Sequence, residues 1–88
     1  MEIIYTSTAR FDLKRLPHNI AQRIIKKVYF LSQQSKPLTF AKPLHNFGLG
    51  QYRFRIGDYR VVFDVDKAGT VSILMILRIK HRKDVYDS

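Results

Sequence analysis

The sequence predicts an α+β domain in which a two-helix hairpin packs on one face of a small, mainly antiparallel four-stranded sheet, in the order β-α-α-β-β-β. Three observations carry this prediction. Residues 51–65 alternate apolar and polar about a Gly-Asp break, the pattern of a half-buried hairpin. Residues 9–31 repeat apolar side chains at helical spacing, interrupted by Pro17. The run Ile73-Leu74-Met75-Ile76-Leu77 is apolar on both sides, which suits a central strand covered on both faces. Eighty-eight residues make a single domain, 1–88, with room for one core.

Glu2 to Tyr5 forms the first expected strand. Thr6, Ser7 and Thr8 offer capping hydroxyls for a first helix from about Ala9 to Leu16. Ala9, Leu13 and Leu16 share one face, and Arg10, Lys14 and Arg15 point away. Pro17 stops this helix and suits the first turn of a second one. There Ile20, Ile24, Val28 and Leu31 form a stripe, widened by Ala21 and Ile25, with Arg23, Lys26 and Lys27 opposite. Ser35-Lys36-Pro37 ends it. From there to Gly50, through Pro43 and Gly48, the chain is expected to be an irregular connection.

The hairpin then sets the organisation of the whole. Tyr52, Phe54 and Ile56 alternate with Gln51, Arg53 and Arg55, and Gly57-Asp58 supplies a two-residue turn. Tyr59, Val61, Phe63 and Val65 resume the apolar side. Folding the chain about the turn sets Ile56 against Tyr59, Phe54 against Val61 and Tyr52 against Phe63. On the other face Arg55 lands across from Arg60, with Arg53 one pair further along. Like charges directly opposite on a sheet oppose folding. Planar guanidinium groups bind phosphate well, so the convergence of arginines on one small face points to an anion site. Asp66 to Thr70 is a second turn, and the last strand runs from Val71 to about Ile79. The closing residues crowd Arg78, Lys80, Arg82 and Lys83 around His81 and Tyr86, a tail placed to close over Arg53, Arg55 and Arg60.

Sixteen Lys and Arg against seven Asp and Glu give a formal charge of +9, and the isoelectric point is about 10.2. Such a chain favours a polyanionic partner: nucleic acid, an acidic protein, or both. A membrane partner is not expected, because no helix combines a wide apolar face with bulky anchors. No cysteine is present, which removes disulfide and thiolate chemistry and suits a reducing cytosol. No leader or spanning stretch is visible, so a cytoplasmic location is expected.

Lys42-Pro43-Leu44, the run from Tyr52 to Phe63 and the terminal His81-Arg82-Lys83-Asp84-Val85-Tyr86 together resemble the RelE/ParE toxin superfamily of prokaryotic toxin–antitoxin systems, over essentially the whole chain. The resemblance implies a toxin whose RelE-like members bind the ribosomal A site and cut messenger RNA there, by attack of a 2′-hydroxyl on its own phosphodiester. It implies no metal and no cofactor, and an acidic antitoxin partner that wraps the toxin in a hetero-oligomer. ParE-like members share the fold but inhibit DNA gyrase and lack the nuclease residues. By position, Arg53 and Arg55 fall where RelE-type nucleases place basic residues, often lysines. Arg60 falls on the phosphate-binding arginine, and Arg82 and Tyr86 fall on the C-terminal arginine and tyrosine.

The chemistry can also be argued from the residues. In-line attack by a 2′-hydroxyl needs a base, an acid for the leaving 5′-oxygen, and positive charge on the phosphate. Arg53, Arg55 and Arg60 supply charge but do not shuttle protons. Tyr86, its phenol lowered by surrounding cations, is the favoured base; Arg82 stabilises charge and His81 is the alternative acid or base. Lys80 and Lys83 join Arg53 and Arg55 as substrate-binding residues. His18 and His45 lack a paired acid or metal-ligand spacing and receive no role. A purely RNA-binding module remains the non-enzymatic reading of the same residues.

Overall fold

The computed structural model describes residues 1–45 and 48–84. Its strands are β1 (Glu2–Tyr5), β2 (Ala41–Pro43), β3 (Tyr52–Ile56), β4 (Tyr59–Ala68) and β5 (Val71–His81), and its helices are α1 (Ser7–Lys14) and α2 (His18–Ser32). Short 3-10 turns occupy Pro37–Phe40 and Arg82–Asp84. The α+β class is as expected, but the sheet has five strands in the order β1-β5-β4-β3-β2, not four. It is mixed: β1 runs parallel to β5, and the other neighbours are antiparallel. The unexpected strand is β2, which lies in the stretch expected to be irregular. It has only three residues and no alternation of its own, and it pairs Lys42 with Arg53 and Pro43 with Tyr52 along the outer edge of β3. An edge is where a sheet tolerates proline.

The hairpin has the register set by its turn: Ile56 opposes Tyr59, Phe54 opposes Val61 and Tyr52 opposes Phe63. Gly57 takes φ 59° at this turn, the left-handed conformation that favours glycine. Phe63 stacks on Phe54 at 4.4 Å between ring centroids and on Tyr52 at 5.7 Å. Ile24, Val28 and Leu31 of α2 and Ala9 of α1 close over these strands together with Leu74, Ile76 and Ile79 of β5. Burial of this face in place of water is the main force holding the layers together. α1 begins at Ser7, earlier than expected, because Thr6 is the cap and its Oγ1 accepts the Ala9 N–H at 3.1 Å.

The far face of the sheet is also partly covered. Leu44 is buried there, and Gly50 sits so close to the sheet that a Cβ would lie 2.7 Å from Val62 Cγ1, at a φ of 154°. Gln51 ties the segment down: its N–H donates to Asp64 Oδ1 at 2.8 Å, and its Oε1 accepts the Val65 N–H at 3.0 Å. This cover explains why Val62, on the polar side of the alternation, is fully buried.

β1 pairs with β5 only as far as Tyr5 opposite Ile76. Beyond it α1 takes the place of a strand. Thr6 Oγ1 donates to the Leu77 carbonyl at 3.2 Å, and Asp12 Oδ2 accepts the Ile79 N–H at 2.9 Å. Arg78 completes the joint, donating from Nε to Asp12 Oδ2 at 2.9 Å and from Nη2 to Oδ1 at 3.2 Å. Burial pushes the Asp12 carboxyl up, but the bonds from Arg78 and Ile79 and the charges of Arg78 and Lys80 prevail and hold it below its usual 3.8. A folded-state pKa lowered in this way contributes stability above the unfolded value, which is lost as pH falls through the folded one. Asp12→Ala is therefore expected to cost about 2 kcal/mol, since it leaves the Ile79 N–H and Arg78 without their acceptor. Urea unfolding at neutral pH measures this. As pH falls through the lowered folded-state pKa of Asp12, the difference from wild type should shrink, because wild-type Asp12 becomes protonated too.

Candidate active site

Strand alternation and register decide which cations meet. Arg55 of β3 opposes Arg60 of β4, and Arg60 in turn opposes Lys80 of β5. The result is a row of cations across neighbouring strands, on the face away from α2. Directly opposed side chains start about 5 Å apart at Cβ, close enough for one phosphate to meet more than one of them. Arg53 lies one step further from the turn on the same face, beside Lys42 of β2. Arg55 is exposed, and Arg53, Arg60 and Lys80 are half-buried. Arg60 is anchored: its Nη1 donates to the Gly57 carbonyl at 2.9 Å and to the Tyr59 carbonyl at 3.0 Å, which holds the guanidinium at the hairpin turn.

His81 comes one residue after Lys80 and so turns to the opposite face. Its ring meets Tyr59 edge-on at 5.5 Å, and Nδ1 accepts the Lys83 N–H at 3.2 Å. The exchangeable proton of the neutral ring therefore sits on Nε2. The structure separates His81 from the row that Lys80 completes. Arg82 and Lys83 lie in the 3-10 turn after β5, both exposed. The Arg82 N–H donates to the Asp58 carbonyl at 2.8 Å, and its Nε stands 3.7 Å from Asp58 Oδ1. The root of the tail is thus fastened to the same turn that carries Arg60. Tyr86 lies outside the described residues.

Two basic residues near this face hold positions that the sequence alone does not assign them. Lys42 was hidden in the supposed connection, and only its pairing with Arg53 brings it to the array. Arg78 was seen as part of a basic tail, whereas it is held by Asp12 on α1. Among the described residues, no group of three or more His, Asp or Glu side chains is placed to hold a metal ion. What the row offers is fixed positive charge for an anion with several oxygens.

Comparison with known proteins finds relatives along nearly the whole chain. The family model described as the ParE toxin of type II toxin–antitoxin systems matches residues 3–86. Toxin RelG of Mycobacterium tuberculosis is 35% identical over 82 residues, 93% of this chain and 91% of its own length. Toxin RelE3 of Methanocaldococcus jannaschii is 31% identical over 94 residues, 99% of this chain and 97% of its own. Among solved structures, the toxin–antitoxin complex RelBE2 of Mycobacterium tuberculosis contains a chain that superposes with a TM-score of 0.76 at 34% identity, covering 92% of this chain and 96% of that one.

Proposed function

The chain belongs to the RelE/ParE family of type II toxin–antitoxin toxins, and from that premise we propose that it is a ribosome-dependent messenger-RNA endonuclease of the cytoplasm, silenced by a cognate antitoxin. The observation that carries this reading is the row Arg55–Arg60–Lys80, with Arg53 beside it. Each opposed pair of cations works against folding by a few tenths of a kcal/mol. A row of them is accounted for by an anionic substrate laid across the strands.

In the proposed reaction the 2′-oxygen of one nucleotide bonds to the adjacent phosphorus while the bond from phosphorus to the 5′-oxygen breaks. A 2′,3′-cyclic phosphate and a free 5′-hydroxyl result. Tyr86 takes the proton from the 2′-hydroxyl, and water returns one to the leaving 5′-oxygen, because His81 lies on the other face of the sheet beside Tyr59. Arg60 and Arg82 stabilise the charge that develops on the phosphoryl oxygens, and Arg53, Arg55, Lys80 and Lys83 hold the strand.

A second reading, gyrase inhibition without nuclease activity, is favoured by the ParE description of the matching family model. Expression in cells separates the two. Loss of translation with cut messenger RNA supports the nuclease; filamentation with a DNA-damage response and intact messenger RNA supports gyrase inhibition.

The proposed antitoxin contact follows from what the fold leaves uncovered. Tyr29, Phe30 and Phe40 are 61%, 54% and 52% exposed, and an apolar groove of about 530 Å³ lined by Met1, Pro37, Leu38 and Val65 opens after the end of α2. An acidic amphipathic segment would cover these side chains and meet the surrounding cations. Its association rate is expected to fall at least about tenfold between low and high salt in stopped-flow measurements. A rate indifferent to ionic strength would contradict this contact.

A further inference from the structure

The cation row does not end at the sheet. Past the end of β1, where α1 covers the outer edge of β5, a cleft of about 300 Å³ lies between the last turn of α1 and the 3-10 turn at Arg82–Asp84. Arg15, Arg78 and Lys80 line it, together with the Tyr59–His81 ring pair. Lys80 therefore belongs both to the row and to the cleft, so positive charge runs across β3, β4 and β5 and turns round the edge toward α1.

The cleft also contains carboxylates, and one of them strengthens the case for an anion. Asp12 is engaged by the Ile79 N–H and by Nε and Nη2 of Arg78. It neutralises one charge but also fixes the Arg78 guanidinium in place, and that side chain remains 40% exposed. An arginine held this way gives up little rotamer freedom on binding. Arg15 is exposed on the other wall, its guanidinium carbon 5.6 Å from the Phe11 ring centroid. Asp84 stands at the rim.

We infer that this cleft is a second RNA subsite, which takes the stretch of single strand flanking the cut phosphodiester. A backbone phosphate meets Arg78 and Arg15, and the neighbouring base lies against Tyr59 and His81, in the combination of cationic groove and aromatic surface that suits unpaired strands. A continuous path of charge round a fold edge fits an extended polyanion better than a single small anion. The inference rests on the nuclease reading, because the row supplies the strand that enters the cleft.

The test uses a fluorescein-labelled single-stranded hexaribonucleotide, 2′-O-methylated throughout so that the attacking hydroxyl is blocked. It is titrated into the full chain and followed by anisotropy at several salt concentrations. Arg15→Gln removes a cleft cation, Arg55→Gln a row cation, and Lys67→Gln an exposed cation at the far end of β4. All three sites are on the surface, and unchanged thermal midpoints check the fold. Arg15→Gln and Arg55→Gln are each expected to weaken binding about fivefold and to lower the salt slope by about 0.7, the value for one phosphate contact on a single strand. Lys67→Gln should change binding less than about twofold. If Arg15→Gln behaves like Lys67→Gln while Arg55→Gln weakens binding, the cleft is not a subsite and the row stands. If neither differs from Lys67→Gln, the RNA reading of the row fails as well.

Discussion

Replacing Arg60 with Ala is expected to lower messenger-RNA cleavage by about two to three orders of magnitude, the usual effect of removing one preorganised donor from a developing anion. Arg60 is the middle cation of the row, with Arg55 on one side and Lys80 on the other, and its guanidinium is held at the turn by the Gly57 and Tyr59 carbonyls. No other residue of the row is flanked by cations on both sides. The substitution removes bonds to two carbonyls at an exposed turn, a loss of about 1 kcal/mol, and relieves repulsion from Arg55 and Lys80. The unfolding midpoint should therefore move little while activity collapses. Arg60→Lys keeps the charge but not the planar fork and should recover only part of the rate. Full cleavage by Arg60→Ala in a protein of wild-type stability would remove Arg60 from the reaction.

The largest effect on stability is expected from Phe63→Ala. Phe63 is fully buried on β4, stacked between Tyr52 and Phe54 of β3 and facing the apolar stripe of α2. Truncation removes the ring and its stacking partners' contacts and leaves a cavity, at about 4 kcal/mol. A chain of this length has a total stability of about 4–13 kcal/mol. The variant should thus lose a large part of its stability, with a melting midpoint lowered by about 20 °C. Phe63→Leu, which refills most of the space, should cost about 1 kcal/mol. A midpoint for Phe63→Ala within a few degrees of wild type would mean that the hairpin is not the centre of the core.

The hairpin was the most legible part of the chain, because a period of two and a two-residue turn leave one register. Once Tyr52 opposes Phe63, Arg55 must oppose Arg60. The remainder depended on pairings between distant segments. β2 has three residues with no periodicity, and its identity as a strand comes wholly from β3. Asp12 and Arg78 are 66 residues apart, and nothing local marks Asp12 as the group that closes the edge of β5. His81 looked like a companion of the arginines because it adjoins Lys80 in sequence, yet alternation sends it to the other face beside Tyr59. The fold class and the arginine row were thus open to inspection in the sequence. The fifth strand, the contribution of Lys42 and the cleft at α1 required the folded chain.

Toe-printing of messenger RNA on purified ribosomes, with the wild-type protein and with Arg60→Ala, tests the central claim most directly. The row predicts new strand ends at the A-site codon with the wild type, carrying a cyclic phosphate, and their loss with the variant. Intact message with the wild-type protein, at concentrations that arrest growth in cells, would contradict it.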